Sequence, residues 1–405
     1  MMKYKYKALL VTIVYLMLRQ CHIVKSTGFY IPANSTATYM SGFCINILKE
    51  EALLKPGNII SAPISIHLVL LLLLFGTKGS TFEHLSHAIA NDTTVNEYQY
   101  ELSRDIKTRS NLISDHGVIL EVDNEAFISH EKSIQRDFRN YWAPLFSFNV
   151  SELDFSKPGS SADYINARVN QGTHGRISKL ISTGDITPRT VMILTSAIYF
   201  KGEWKKQFSL KNTVRQTFHL SRHRSIQVPM MTIKDKFRMG YCSVLEAKWL
   251  ELPFKGERYS MFVVLPKEMS GMDNLLFRMT GEHIQKMNYS EKKIRTVNVY
   301  LPKFNVSHET DLANTLQAFG LGELFTPAAN FEGISPDIYI GKFIHKAEVS
   351  VDEFGATASA ASSVTLVTKS RGKTQFRVDR PFLMFIIDKF YRVPFFVSRV
   401  LNPAK

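Results

Sequence analysis

The stretch that decides the fold lies near the C-terminus and reads VSVDEFGATASAASSVTLVTKSRGKTQF, from Val349 to Phe376. Charge stops after Glu353, and the segment Gly355–Thr368 contains neither a charged residue nor a proline. Small residues come first, β-branched and apolar residues follow, and the segment ends at Lys369. Two interpretations are open, a flexible linker or a β-strand that is not yet part of its sheet.

The composition indicates a large folded core. The chain has 405 residues, of which 45% are hydrophobic and 12% aromatic, which argues against disorder. The formal net charge is +14, and five basic residues fall in the first 26 positions, which contain no acid, so that +9 remains beyond them. A surface this basic either attracts polyanions such as glycosaminoglycans or is simply solvated.

The N-terminus, MMKYKYKALLVTIVYLMLRQCHIVKS, has the pattern of a secretory signal. A lysine-rich segment precedes an apolar stretch, Ala8–Leu18, which is shorter than the roughly 20 residues that a membrane-spanning helix needs. We therefore expect a signal peptide over residues 1–26, cleaved near Cys21 or Ser26, and a secreted, extracellular protein. The alternative is an uncleaved anchor. Residues 27–405 are expected to form one domain.

Glycosylation sequons support secretion independently, and the cysteines limit the kind of scaffold. Five Asn-x-Ser/Thr sequons occur, at Asn34, Asn91, Asn149, Asn288 and Asn305. Three cysteines, Cys21, Cys44 and Cys242, are too few for a disulfide scaffold. If the first leaves with the signal, the other two could pair, but two buried free thiols are the expected state.

Apolar patterning predicts helices in the first half of the chain. Apolar residues recur at helical spacing from Tyr39 to Leu54. Pro63 then suits a first helical turn, and Gly76 can end the helix. Between them, Leu68–Phe75 is apolar on every side, which indicates a helix buried in a large core.

Later segments are short, rich in β-branched or aromatic residues and bounded by turn residues, which predicts strands. The clearest are Val191–Phe200, Tyr259–Pro266, Arg295–Phe304 and Pro381–Asp388. Residues 255–257, Lys-Gly-Glu, fit a turn between two strands. Helices early and strands late, with mixing, predict the α+β class in one continuous domain.

Motifs for common enzymes are missing from the sequence. It contains no Gly-x-Ser-x-Gly elbow, no His-Glu-x-x-His or Cys-x-x-Cys pattern and no phosphate-binding loop. The twelve histidines are scattered, so that one such as His345 is expected to be structural rather than a ligand. We expect no catalytic residue, no metal, no cofactor and no nucleic-acid partner. An extracellular enzyme is the least supported alternative.

Several segments together resemble the serpin family of serine protease inhibitors. The most specific is HKAEVSVDEFGATASAA, residues 345–361, which is similar to the family's strand and hinge. Further similar segments, in family order, are NIISAPISI (58–66), NQGTHGRISKLI (170–181), SAIYFKGEW (196–204), VPMM (228–231), LELPFKG (250–256), LPKF (301–304), FGLGELF (319–325), RPFLMFII (380–387) and SRVLNP (398–403). The resemblance spans Tyr39 to Pro403. It implies three β-sheets surrounded by about eight or nine helices, with an exposed, mobile reactive loop near the C-terminus.

The resemblance implies a mechanism in which a protease cuts the loop and the loop then enters a sheet as a central strand, dragging the acylated protease along. One face of such a strand would carry Ala356, Ala358, Ala360 and Ser362. All four are small, so they can pass beneath covering helices without overpacking. The fourteen residues that end at Lys369 would extend about 46 Å. These properties favour an inserting strand over a linker.

The resemblance also implies site residues. The family's usual loop length, counted from the glycine of the hinge, places the scissile bond at Lys369–Ser370, which suits the acidic specificity pocket of trypsin-like proteases. The alternatives are Arg371–Gly372, Lys373–Thr374 and, for a chymotrypsin-like enzyme, Leu366. The implied hinge residues are Glu353, Gly355, Ala356, Thr357, Ala358, Ser359, Ala360 and Ala361. The region where the main sheet opens is implied at Ser65, Ser196 and His345.

The chain departs from the family at several of these places. Ser196 stands where asparagine is usual, Ala62 for serine, Arg168 for tryptophan, Phe354 for a charged residue and Thr357 for glutamate. Loss of an amide at position 196 would alter a buried hydrogen-bond network, which concerns the ease of sheet opening rather than the fold.

The leading hypothesis is a monomeric, secreted suicide inhibitor that forms a covalent complex with a trypsin-like extracellular serine protease. The alternative is a non-inhibitory serpin that acts as a carrier, storage or signalling protein. Basic clusters at Arg222–Arg224 and Lys292–Arg295 are candidates for binding a glycosaminoglycan or other polyanion, and the alternative for each is a solvated face.

Overall fold

The computed structural model describes residues 34–90, 117–146, 148–289, 294–355 and 374–405. Its α-helices are α1 (Asn34–Leu54), α2 (Pro63–Leu74), α3 (Gly79–Ala90), α4 (Ala143–Leu145), α5 (Pro158–Gly172), α6 (Met272–Arg278), α7 (Gly281–Tyr289) and α8 (Ala313–Ala318). A π-helical turn, Phe138–Trp142, precedes α4, and short 3-10 turns lie at Thr183–Asp185, Leu210–Asn212 and Gly322–Phe325. Among these helices, none is both long enough and apolar enough to cross a membrane.

The strands of the described residues form the other half of the fold. They are β1 (Ile59–Ser61), β2 (Val118–Ser129), β3 (Phe148–Leu153), β4 (Met192–Gly202), β5 (Val214–His219), β6 (Ser225–Cys242), β7 (Ala247–Pro253), β8 (Tyr259–Pro266), β9 (Ile294–Pro302), β10 (Phe304–Asp311), β11 (Lys342–Val351), β12 (Gln375–Arg377), β13 (Phe382–Asp388) and β14 (Val393–Val400). With the helices they confirm the α+β prediction.

The described strands form a five-stranded main sheet and a nine-stranded sheet, which the long strand β6 divides into a second and a third sheet. The main sheet has the order β10-β11-β4-β2-β3. The second sheet joins the first part of β6 to β5 on one side and, through β9, to β12 on the other. The third continues from the end of β6 through β7, β8, β13 and β14 to β1. This arrangement confirms the three sheets that the family resemblance implies.

Helix α2 forms where the sequence predicts a buried helix. Pro63 occupies the first turn, where its missing N–H is not needed, and all twelve residues of the helix are buried. The chain turns at Gly76, where a Cβ atom would lie 2.2 Å from Cγ1 of Ile334. The close approach of the two segments therefore explains the glycine.

Helices cover both faces of the main sheet at its central strand β4. On one face Ile193 packs with Ile165 of α5, and Ala197 packs with Val169 of the same helix. On the other face Leu194 packs into the apolar cluster around α2. Helix α5 therefore covers β4, so any strand that joined the sheet beside β4 would pass beneath that helix.

Two predictions need correction. The single strand predicted over Arg295–Phe304 is two strands in different sheets, because the chain leaves β9 at Pro302, exposes Lys303 and enters the main sheet as β10. The prediction of two buried free thiols holds for Cys44, whose pKa is raised by burial, but Cys242 is only half-buried. The two thiols are not paired with each other.

Candidate site for loop insertion

The site is built around β4 and β11, which lie side by side and parallel in the main sheet. Their register runs from the pair Ile193–Lys342 to the pair Phe200–Val349. Beyond β11 the chain passes through Glu353–Gly355 and returns as β12 in the second sheet. The small, uncharged segment therefore starts at the end of one of the two strands between which a new strand would have to enter.

Backbone contacts hold the hinge that follows β11. The amide of Trp204 donates to the carbonyl of Phe354 (3.2 Å), and the indole Nε1 of Trp204 donates to the carbonyl of Asp352 (2.8 Å). Gly355 has φ +81°, and a Cβ atom there would lie 2.0 Å from the carbonyl oxygen of Gly202. Only glycine fits this close turn.

The side chain of Glu353 anchors the same hinge. It is 2% exposed, and its carboxylate accepts a hydrogen bond from Nζ of Lys303 at 3.0 Å. Burial is the largest single influence and acts to raise the pKa of Glu353, but the hydrogen bond from Lys303, further hydrogen bonds to the carboxylate and the charge of Lys303 together hold the pKa below its ordinary value. The backbone carbonyl of Glu353 also accepts from the amide of Phe208 at 2.9 Å. The hinge is thus tied down by both charge and backbone.

A buried chain of hydrogen bonds crosses the main sheet below the hinge. The amide of Ala62 donates to Nε2 of His345 at 3.0 Å, which places the ring proton on Nδ1. Nδ1 then donates to Oγ of Ser196 (3.1 Å), which donates to Oγ of Ser65 (2.9 Å). Ser65 donates to Oδ1 of Asn124 (2.9 Å). Every hydroxyl in this chain donates in the same direction, so the bonds reinforce one another.

Burial keeps the histidine of this chain neutral. The pKa of His345 is lowered to about 3, first by burial and then by the nearby His308. The pKa of His308 is itself lowered to about 4 by burial and by the positive charges of Lys55 and Arg399. A neutral imidazole is the state that can both accept from Ala62 and donate onward.

Asn124 is a member of this chain that the sequence did not reveal. Sequence comparison with the family indicated a missing amide at Ser196. In the structure Asn124 on β2 is the register partner of Ser196 on β4, and its side chain supplies an amide oxygen to Ser65. The sheet register brings these residues together, and register could not be derived from the separated sequence segments.

An ion pair between a half-buried arginine and a buried carboxylate fastens helix α5 to β2. Nη2 of Arg168 lies 2.6 Å from Oε1 of Glu125, whose side chain is fully buried. Arg168 stands where the family usually has tryptophan, so this chain replaces an apolar contact with a charged one. Near the end of the same helix, a Cβ atom at Gly172 would lie 2.2 Å from Oδ1 of Asp123, which shows how closely the helix approaches the strand.

Three acidic residues, Glu121, Asp123 and Glu125, alternate along β2 and are all buried. Burial and the neighbouring Glu125 raise the pKa of Asp123 to about 8, and Arg168 opposes them. Oε1 of Glu121 lies 3.4 Å from Nδ1 of His174. The contact between α5 and the sheet is therefore charged and sensitive to pH at one face of β2.

The structure describes some of the predicted site residues and not others. Ser65, Ser196 and His345 are brought together, and Glu353 and Gly355 form the anchored hinge. The scissile bond at Lys369–Ser370, the alternatives Arg371–Gly372, Lys373 and Leu366, and the hinge positions 356–361 lie outside the described residues. The signal segment, residues 1–26, also lies outside them.

The sequons differ in their accessibility. Asn149 and Asn305 are exposed, Asn34 opens helix α1, and Asn91 lies outside the described residues. Asn288 is only 9% exposed, and its Oδ1 accepts from Nζ of Lys389 at 2.7 Å. A glycan at Asn288 would disrupt this packing, so the expected modification at that sequon conflicts with the folded structure.

Of the two basic clusters of the sequence, the structure describes all of Arg222–Arg224 but only the end of Lys292–Arg295. Arg222–Arg224 lies in the turn before β6, whereas Arg295 on β9 pairs with Phe237, twelve residues further along β6 than Ser225. Twelve residues of strand span about 40 Å. Arg295 therefore lies far from the cluster at Arg222–Arg224.

Known proteins share this architecture. The family model described as "Serpin (serine protease inhibitor)" matches residues 38–403. Human neuroserpin is 30% identical over 357 residues, covering 85% of this chain and 86% of that protein. Human thyroxine-binding globulin superposes with a TM-score of 0.82 at 26% identity, covering 91% of this chain and 98% of that one. Native protease nexin-1, solved with heparin, superposes with a TM-score of 0.80 at 29% identity, covering 91% and 99%. The chain therefore belongs to the serpin family.

Proposed function

We propose that this protein is a secreted suicide-substrate inhibitor of trypsin-like serine proteases. The observation that carries the proposal is the connection between β11 and the small, uncharged segment that follows Gly355, beside the parallel partner β4. A loop that folds back from the end of β11 would enter between the two strands antiparallel to both. One parallel ladder would then be replaced by two antiparallel ladders, which are slightly more stable per residue.

The chemical step belongs to the protease. Its serine oxygen attacks the carbonyl carbon of Lys369, the bond to Ser370 breaks, and the new amino group of Ser370 takes the proton that the protease's histidine returns. Lys369 is left as an ester on the protease. The inhibitor then has to insert the loop before water cleaves that ester, so the outcome is decided by a competition of rates.

Several features support fast insertion. The inserted strand would carry no charge and no proline before Lys369, and its inward face would carry small residues. Helix α5 covers β4, so a strand that is inserted beneath this helix needs small side chains. The hinge that begins the loop is anchored at Glu353, which gives the strand a fixed starting register.

The test is to mix the purified mature protein with trypsin, separate the products on a denaturing gel and sequence the released C-terminal fragment. We expect a covalent complex of summed mass and a fragment that begins at Ser370. Lys369→Ala should abolish the complex, whereas Arg371→Ala should retain it. A fragment that begins at Gly372 would keep the mechanism and move the bait to Arg371.

A matched pair of hinge variants separates insertion from simple cleavage. Ala358→Glu places a charge on the face of small residues and should give cutting without a complex. Thr357→Glu places the same charge on the opposite face, at a position where the family often has glutamate, and should still form the complex. Equal behaviour of the two variants would contradict the proposed strand register.

The second candidate is a non-inhibitory serpin, for example a carrier, as the name and bound thyroxine of thyroxine-binding globulin indicate for that protein. The observation in its favour is the hinge residue Phe354, which is half-buried and apolar where the family usually has a charge. Cutting by a panel of trypsin-like proteases without a complex, and without a rise in Tm after cutting, would establish this candidate instead.

A further inference from the structure

One long stretch of the chain contains basic residues and no acidic residue. From Trp204 to Lys234 the sequence contains seven lysines and arginines and no aspartate or glutamate. The structure folds residues 211–229 of this stretch into β5, a turn and the start of β6. We call these residues the basic hairpin. Its exposed cations are Lys211, Arg215, Arg222 and Arg224.

The four exposed cations of the basic hairpin differ from the neighbouring lysines in their ion pairing. Just outside the hairpin, Lys205 pairs with Glu257 at 2.6 Å, and Lys206 lies 3.7 Å from Asp235. Within the hairpin, no carboxylate of the described residues forms an ion pair with any of the four cations. The guanidinium of Arg215 donates to the backbone carbonyl of Gln227 at 3.1 Å, which leaves its charge uncompensated.

The hairpin is attached to the strand on which the loop returns. Nη1 of Arg377 on β12 donates to Oε1 of Gln216 at 2.5 Å, and the amide of His219 donates to the carbonyl of Asp379 at 2.7 Å. Arg377 also stacks on the ring of Tyr300, 3.8 Å from its centroid, and adds a fifth cation. The basic surface thus continues from the hairpin onto β12.

The length of the chain brings this surface under a docked protease. Five residues lie between Lys369 and Gln375, the first residue of β12, so six residue-to-residue steps limit the distance from the bait to that strand to about 22 Å. A protease domain of about 230 residues is a body of about 22 Å radius. A protease bound at Lys369 is therefore large enough to reach the surface around β12 and the hairpin attached to it.

We propose that the basic hairpin, with Arg377, is a second contact surface for the target protease, and that the target carries an acidic surface beside its active site. The inference rests on the proposed function. Opposite charges on the two surfaces would speed the encounter and would select among proteases that share a preference for lysine or arginine. Because the cations are exposed, the effect would weaken as salt is added.

The experiment uses anionic and cationic isoforms of trypsin, which share cleavage specificity but differ in surface charge. The variant is Arg222→Glu/Arg224→Glu in the full mature protein, with Lys211→Gln/Arg215→Gln as a milder second variant. The matched control is Arg136→Glu/Arg189→Glu. These two exposed residues lie beyond the opposite end of the main sheet, where Ile128 pairs with Met192.

We expect Arg222→Glu/Arg224→Glu to lower the association rate constant with anionic trypsin about tenfold at low salt. The loss should disappear at high salt. The stoichiometry of inhibition should not change, and neither the cationic isoform nor the control variant should show the loss. An unchanged rate, or an equal loss in the control, would overturn the proposal. The proposal would also be overturned if Arg222→Glu/Arg224→Glu kept its association rates but bound more weakly to a heparin column. That result would assign the surface to a sulfated polysaccharide.

The two proposals fail separately. If the loop is cut without a covalent complex, inhibition is refuted, but the rate of cutting still reports the encounter. A charge-dependent rate of cutting by the anionic isoform would then support the docking surface. A rate of cutting that ignores the hairpin charges would reject it.

Discussion

His345 on β11 and Ser196 on β4 are direct register partners, and their side chains are joined by a hydrogen bond of 3.1 Å across the boundary where a new strand would enter. Of the bonds in the buried chain, this one joins the two strands that the proposed insertion would separate. The others link Ala62 to His345, Ser196 to Ser65, and Ser65 to Asn124. Within this chain of hydrogen bonds, the bond between His345 and Ser196 is therefore the one that resists separation of β4 from β11.

Removal of the Ser196 hydroxyl should weaken that link. Ser196→Ala leaves the Nδ1–H of His345 and one lone pair of Ser65 without a partner in a fully buried site, which should destabilise the protein by about 1–3 kcal/mol. Ser196→Asn, the residue usual in the family, should cost less because its amide can both accept and donate. Urea unfolding of the two variants measures the difference, and equal losses would contradict the assigned donor order.

The buried histidines should make the protein sensitive to acid. The folded pKa values of His345 (about 3) and His308 (about 4) lie below that of an unfolded histidine. Between about pH 6.5 and pH 3 the unfolded chain binds protons that the folded chain excludes, so stability falls as the pH falls through this range. His345→Gln should show a shallower fall than the wild type, and the exposed His223→Gln should not. Parallel curves for all three proteins would refute a neutral buried His345.

Asp123 should have the opposite effect. Its folded pKa of about 8 lies above that of an unfolded aspartate, so its contribution to stability is present below about pH 4 and is lost as the pH rises towards 8. Asp123→Asn removes this dependence. We expect the variant to gain stability relative to the wild type between pH 4 and pH 8 in chemical unfolding. The exposed Asp163→Asn is the control, and the same gain there would show that burial is not the cause.

The ion pair between Arg168 and Glu125 should matter more than pairs on the surface. Arg168→Gln leaves the fully buried Glu125 carboxylate without its cation, which should destabilise the protein by about 3 kcal/mol. Arg139→Gln breaks a half-exposed pair with Glu152 and should cost at most about 1 kcal/mol. The double variant Arg168→Leu/Glu125→Leu should recover most of the loss. Similar losses for the two glutamine variants would mean that α5 is not held by this pair.

Local signals in the sequence were sufficient for many elements. Helix α2 follows from Pro63 and its uniformly apolar interior, and the hairpin of β7 and β8 follows from the turn at Gly256, which has φ +76°. The ordered segments identified the family and, through it, Ser65, Ser196 and His345. These features depend on local chemistry or on motifs that survive in sequence.

Other features depend on contacts between distant segments. The partnership of Asn124 with Ser65 and the pairing of Glu125 with Arg168 arise from sheet register and helix packing, to which no local pattern points. The residues on both sides of Lys303 suit a strand, so the local pattern does not indicate the break there; only the pairing of β9 with β6 and of β10 with β11 shows that the chain changes sheets. Sequence reasoning thus located the parts of the site and not the links between them.

Gly355 offers the sharpest test of the hinge, because Gly175 provides a control with the same φ angle. Both glycines have φ +81°, but a Cβ atom at Gly355 would meet the carbonyl oxygen of Gly202 at 2.0 Å, whereas nothing lies within 4 Å of a Cβ at Gly175. Gly175→Ala should therefore cost only the backbone strain, about 1 kcal/mol. Gly355→Ala should cost more, because the hinge must leave its contacts with Trp204. Limited proteolysis near residue 355 should accelerate in Gly355→Ala alone, and equal rates in the two variants would show that the hinge is not held by this contact.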